Sequence, residues 1–150
     1  MKTMRKLKIT AICLTIFLLT ISCSLISGEP VSKGSVVTGV TLARDSEPET
    51  YNPIEPSKTF GPQDIIHAIV SVQGAPQGTL FTAKWVVVDV GDPAQDELQM
   101  DVTETEQGGS GNLDFTLSPD GSFLPGAYRV EIYVNNELVE VREYLVIGGD

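Results

Sequence analysis

Three kinds of residue are scarce in this 150-residue chain, and each scarcity removes a class of function. Cysteine occurs twice, at Cys13 and Cys23, both ahead of any stretch that reads as a folded domain. A disulfide framework is therefore not expected, and the fold has to be held by its core. Histidine occurs once, at His67. With no second His and no Cys beyond residue 23, a zinc centre lacks its usual ligands. Cations are few: ten Lys and Arg stand against twenty Asp and Glu, a net charge of −10. That balance argues against nucleic acid and against anionic headgroups as partners. Catalytic signatures are missing too. No Ser lies in a Gly-x-Ser-x-Gly elbow, Ser110 sits in a Gly-rich turn, and no carboxylate pair is singled out for glycoside hydrolysis. The expectation is no enzyme and no cofactor.

The first residues read differently from the rest. Lys2, Arg5, Lys6 and Lys8 precede an apolar run over residues 9–21, the basic and apolar regions of a secretory signal. The run ends at Leu19-Thr20-Ile21-Ser22-Cys23. This resembles the lipobox of bacterial lipoproteins, although Thr20 stands where that family most often has Leu. The resemblance implies that residues 1–22 are a signal peptide, that Cys23 is acylated and becomes the mature N-terminus, and that the protein is extracytoplasmic and anchored to the lipid bilayer. The alternative is an uncleaved span over residues 9–26, near the minimum length for crossing a membrane. Either way the basic flank keeps the remainder outside the cytoplasm. Without residues 1–22 six cations face twenty acids, a net charge of −14, so the acyl chains would have to supply the attachment. Residues 23–35 are small, polar and Gly/Pro-containing, a tether with a reach on the order of 20 Å.

From residue 36 onward the pattern is alternation. Inward candidates are Val40 and Leu42 in a first strand, Ile66, Ala68, Val70 and Val72 in a second, and Phe81, Ala83, Trp85 and Val87 in a third. Leu98, Met100 and Val102 mark a fourth, and Leu113, Phe115 and Leu117 a fifth. Residues 45–58, rich in Glu, Pro and Ser, read as a long loop, and residues 74–78 and 106–111 as turns. The last two strands form a hairpin about Asn135-Asn136, which tolerates the positive φ of a two-residue loop. The expected register pairs Val134 with Glu137, Ile132 with Val139 and Val130 with Val141, with a bulge near Arg142-Glu143. Seven short strands and no helix predict an all-β, seven-stranded antiparallel β-sandwich over residues 36–150.

Trp85 on the third strand and Pro125-Gly126-Ala127-Tyr128 before the sixth resemble immunoglobulin-like domains, with Val70 and Val130 near the places of the antibody cysteines. The run Gly126, Tyr128, Val130, Ile132, Val134, Asn135 is similar to bacterial extracytoplasmic immunoglobulin-like or fibronectin type III-like modules. The resemblance implies a core Trp, a tyrosine corner, and a binding or spacing role rather than catalysis.

Two surface features are candidates for binding. Val86 and Val88 face outward if Trp85 and Val87 fill the core, and Tyr133 and Leu138 lie on the same side. Together they predict either an apolar stripe, rimmed by Lys84, Arg129 and Glu131, for a protein partner in the cell envelope, or a face covered by the 45–58 loop or by a fourth strand near residues 97–104. Asp89, Asp92, Asp96, Glu97 and Asp101 crowd a Gly-Asp-Pro turn. A solvated acidic loop is the expectation and calcium the alternative, since the spacing matches no known calcium motif. Exposed aromatics, drawn from Tyr51, Phe60, Phe123, Tyr133 and Tyr144, would permit a glycan partner. A membrane-anchored binding or assembly module is thus the first reading, a carbohydrate-binding or calcium-dependent module the second, and a hydrolase the third.

Overall fold

The computed structural model describes residues 36–148. The expected signal peptide, the expected lipidation site Cys23 and the expected tether up to residue 35 lie outside the described residues. The described residues form β1 (Val37–Ser46), β2 (Pro53–Pro56), β3 (Thr59–Phe60), β4 (Ile66–Asp89), β5 (Gln99–Leu117), β6 (Gly126–Val134) and β7 (Glu137–Val146), with no helix among them. All pairings are antiparallel except that of β3 with β7.

The long strands β4 and β5 carry the architecture. Residues 66–72 of β4 pair with β1 and with residues 111–117 of β5, making one layer. Residues 79–89 of β4 pair with residues 99–107 of β5 and with β6, which passes the sheet on to β7 and β3 as the second layer. Between the layers the register slips twice, and Gly74, Gly78 and Gly109 hold positive φ there. The segments read as turns are therefore glycine bulges within two continuous strands, which bend a hydrogen-bonded ribbon from one layer into the other. Seven strands are present, but not the seven expected. The second and third merge into β4, the fourth and fifth merge into β5, and β2 and β3 arise from residues 45–58 and their neighbours.

Residues 45–58 are therefore not one long loop. β1 runs on to Ser46 and pairs with β2, with Ala43 opposite Pro56 and Ser46 opposite Pro53. β2 is the outermost strand of its layer, so Pro53 and Pro56 can direct their missing donors away from the ladder.

Between the layers lies the core, with Trp85, Phe60, Phe81, Phe115, Ile66, Ile132, Val70 and Val130 essentially without exposed surface. Each such side chain contributes about 1.5 to 3 kcal/mol of burial. Trp85 is buried in the core, as the resemblance implied, and pairs with Val130 across β4 and β6. The ring of Tyr144 packs edge-on against Phe60 and Trp85 and stacks on Tyr128 at 5.5 Å. In the fourth expected strand the alternation fails: Leu98 and Val102 are exposed and only Met100 packs against the core. Val102 pairs with Lys84 and so belongs to the outer face.

The hairpin turns on Asn135 and Asn136, both at positive φ, and Val134 pairs with Glu137 as expected. Its bulge lies elsewhere. The register slips between Tyr133 and Ile132, so Ile132 faces Glu140 and Val130 faces Arg142. Val139 is the extra residue and packs against the core. The slip turns Arg142 toward β1, where its Nε donates to the Val40 carbonyl at 3.0 Å. A bulge that re-aims a side chain in this way gains a hydrogen bond between two layers that share no backbone ladder along this edge.

Candidate functional site

The outer face of the second layer does bring Val86, Val88, Tyr133 and Leu138 to one side, but not as an apolar stripe. Val86 is only 2% exposed, flanked in the sheet by Gln99 on β5 and Arg129 on β6. Val88 is half-buried, and Leu138, opposite Tyr133, is 49% exposed. Between them runs a polar ladder along β6. Arg129 donates through Nε to Glu131 at 2.7 Å and through both terminal nitrogens to Glu97 at 2.8 and 2.5 Å. The Tyr133 hydroxyl donates to the other Glu131 oxygen at 2.7 Å. Alternation on β6 puts residues 129, 131 and 133 on one face, which is why the ladder forms. The partner stripe is thus interrupted where it was expected to be continuous.

The ladder is electrostatically matched. Burial pushes the Glu131 carboxyl up, yet the hydrogen bonds from Tyr133 and Arg129 and the Arg129 charge outweigh it and hold the group below its ordinary value. Glu97 is also lowered, chiefly by its hydrogen bonds from Arg129. Those bonds, with the ones to Glu131, push Arg129 up and keep it charged, and the bond to Glu131 raises Tyr133.

The acidic loop does not assemble a cation site. Asp89 accepts the Gly91 amide at 2.8 Å, Asp92 the Ala94 amide and the Gln95 side chain at 3.1 Å each, and Asp101 the Val102 amide at 2.8 Å. Glu97 is turned to Arg129. Among the described residues no three carboxylate, His or Cys side chains converge as metal ligands. Asp89, Asp92 and Asp101 instead bond to backbone close by in the chain, and the Gln95 bond lowers Asp92.

His67 lies on the outer face of the first layer. Its Nδ1 meets Asp114 at 2.8 Å, and the Ser46 hydroxyl donates to the same Asp114 oxygen at 2.6 Å. Ser, Asp and His are adjacent, but the carboxylate stands between the other two. In a Ser-His-Asp nucleophile the imidazole bridges serine and aspartate. The same face is closed by residues 47–52, where Glu47 binds Thr50 and Asn52, and Asn112 donates to the Thr50 carbonyl at 3.2 Å. Of the aromatics that would form a glycan platform, Phe60, Phe123 and Tyr144 are buried in the core. Tyr51 is 41% exposed and Tyr133 belongs to the ladder.

Two concavities were not visible in the sequence. One, of about 340 Å3, opens along the seam between β1 and β7, between Val40 and Leu42 on one side and Arg142 on the other. The second, of about 330 Å3, lies at the end of the sandwich where β4, β5 and β6 meet. Its floor is Val87, Leu117, Phe123 and Tyr128. The corner expected at Tyr128 forms one wall: its hydroxyl donates to the Leu124 carbonyl at 2.6 Å. The signal for this groove was present as Leu98 and Leu124, apolar residues in or near segments read as turns, but only the folded structure shows that their side chains stay about half exposed.

Neither a protein-family model nor a curated protein matches the sequence. A crystal structure of an immunoglobulin-like protein from Pseudomonas aeruginosa superposes with a TM-score of 0.50 at 13% identity, over 74% of this chain and 94% of that one. At that identity the likeness speaks for the fold alone, and with the core Trp85, the Tyr128 corner and the two layers it makes residues 36–148 an immunoglobulin-like β-sandwich.

Proposed function

We propose that this protein is a binding or assembly module of the bacterial cell envelope, held on the extracytoplasmic side of a membrane by an acylated Cys23 and carrying its sandwich on the tether of residues 23–35. The observation that carries the reading is the immunoglobulin-like sandwich itself, whose polar clusters are tied to one another rather than gathered around a reaction centre. Many functions share this fold, so the surface has to supply the role. Here an acidic domain leaves Leu98, Leu124, Leu138 and Leu145 about half exposed, which suits contact with another protein. The signal-like start and the Leu19-to-Cys23 motif support the anchor.

Intact-mass analysis of the protein purified from membranes tests the anchor. A mature chain beginning at a Cys23 bearing acyl groups is expected, together with accumulation of the precursor in Cys23→Ser. An intact Met1 with unmodified Cys23 would remove the lipoprotein part of the proposal.

A further inference from the structure

We infer that the groove at the β4–β5–β6 end of the sandwich is a docking site for a cationic, otherwise apolar segment of a partner protein. The inference rests on the binding-module reading and gives that module a site and a partner chemistry. Two leucines form the lips, Leu98 at 50% and Leu124 at 46% exposure. Neither belongs to a floppy tip. The Leu98 amide donates to Gln95 at 3.1 Å and its carbonyl accepts from Val87 at 2.9 Å, while the Leu124 carbonyl is held by Tyr128. The backbone spends its hydrogen bonds fixing the lips, and the side chains are left facing water. A lip so fixed does not have to be ordered on binding, and that lowers the cost of docking.

The rim decides the occupant. Asp101 and Asp120 line the groove, and none of the described Lys or Arg side chains does. Arg129, the nearest in the sheet, pairs with Val86 and is engaged by Glu97 and Glu131 on the outer face. An apolar floor beneath carboxylates with no cation of the described residues in the groove matches the two ends of a Lys or Arg side chain, whose stem is apolar and whose head is charged. At about 330 Å3 the groove is at the small end of ligand sites, enough for one or two side chains of a segment rather than a bulky cofactor. An acidic peptide or an anionic lipid headgroup would be repelled by the same rim.

The test is methyl-detected NMR on the full-length protein in phosphatidylcholine nanodiscs, titrated with two capped pentapeptides, Leu-Lys-Leu-Lys-Leu and Leu-Glu-Leu-Glu-Leu. The lysine peptide should shift the methyl signals of Leu98, Met100 and Leu124 and bind about tenfold more tightly than the glutamate peptide. Asp120→Asn, a change at an exposed side chain, should weaken binding of the lysine peptide about threefold. Equal affinity for the two peptides, shifts confined to other residues, or no shift at millimolar peptide would overturn the inference. Photocrosslinking in intact cells separates the two failures. With the probe in place of Leu124 or of Leu138, adducts at Leu138 alone discard the groove and leave the binding module standing, whereas adducts at neither position discard both.

Discussion

The hydroxyl of Tyr128 donates to the carbonyl of Leu124 at 2.6 Å, while the hydroxyl of Tyr144, whose ring stacks on Tyr128 at 5.5 Å, has no hydrogen-bond partner among the described residues. Two buried tyrosines in contact thus have opposite polar status. Deleting the same oxygen from each should have opposite consequences.

Tyr128→Phe removes the donor that closes the corner between β5 and β6 and leaves a part-buried carbonyl without it. A loss of about 1 to 1.5 kcal/mol in unfolding free energy is expected, read as a lower urea midpoint at unchanged slope.

Tyr144→Phe keeps the ring contacts with Phe60, Trp85 and Tyr128 and takes away a buried polar atom whose burial also pushes its ionisation up. Stability should be unchanged or higher by up to about 1 kcal/mol, because an unpaired buried hydroxyl costs that order. A midpoint lowered as far as that of Tyr128→Phe would mean that the Tyr144 hydroxyl is hydrogen-bonded after all.

How far the sequence reveals this molecule depends on what each residue answers to. Ile66, Ala68, Val70 and Val72, or Phe81, Ala83, Trp85 and Val87, respond only to which side is dry, and alternation reports that directly. The Tyr128 corner was legible because a local turn and one side chain make it. Continuity across Gly74 and Gly78 was not, since the same glycines serve a turn or a bulge and the partner strand, 30 residues on, chooses. The position of the hairpin bulge was hidden for a related reason: the slip that packs Val139 against the core also lets Arg142 reach Val40, on a strand about a hundred residues away. At the candidate binding face, Val86 looked exposed because alternation cannot see that neighbouring segments of the chain cover it. The groove at Leu98 and Leu124 depends on three chain segments meeting.

Arg142 offers a test of that bulge. It donates to the Val40 carbonyl at 3.0 Å and to the Val141 carbonyl at 3.0 Å, and it is paired with Glu140. Arg142→Met preserves most of the stem and loses these bonds, so a cost of about 1 to 2 kcal/mol is expected. Amide exchange should quicken selectively in β1 and β7. A change confined to the global midpoint, with the two edges no more open than the rest, would count against a bridging role.

Gly126 starts β6 at φ 156°, and a Cβ there would stand 2.3 Å from the Asp89 carbonyl oxygen and 2.8 Å from the Val90 Cα. Both obstacles are backbone and cannot swing aside. Gly126→Ala should cost about 3 kcal/mol through overpacking at the corner. Gly121→Ala is the control: its φ is 87° with nothing within 4 Å, so only backbone strain of about 1 to 2 kcal/mol remains. Equal midpoints for the two variants would show that close approach is not what demands glycine at 126.

The Glu131 ladder makes stability depend on pH with a definite sign. Its carboxyl lies below the ordinary value of 4.5 in the folded state, because the Tyr133 and Arg129 hydrogen bonds and the Arg129 charge outweigh burial. A group whose folded pKa is depressed binds its proton more readily when unfolded, so its contribution is complete above the unfolded value and drains away as pH falls through the folded one. Glu131→Gln removes the charge and keeps the shape. The variant should therefore be less stable than the parent near neutral pH, and the gap should narrow steadily below about pH 4.5 as the parent's carboxylate is protonated. Urea midpoints across the acid range measure the gap directly. Glu97 falls in the same window but is exposed on its loop, so Glu97→Gln should give a smaller gap with a stronger response to salt. A Glu131→Gln gap that stays constant on acidification would mean that the residue acts through packing alone.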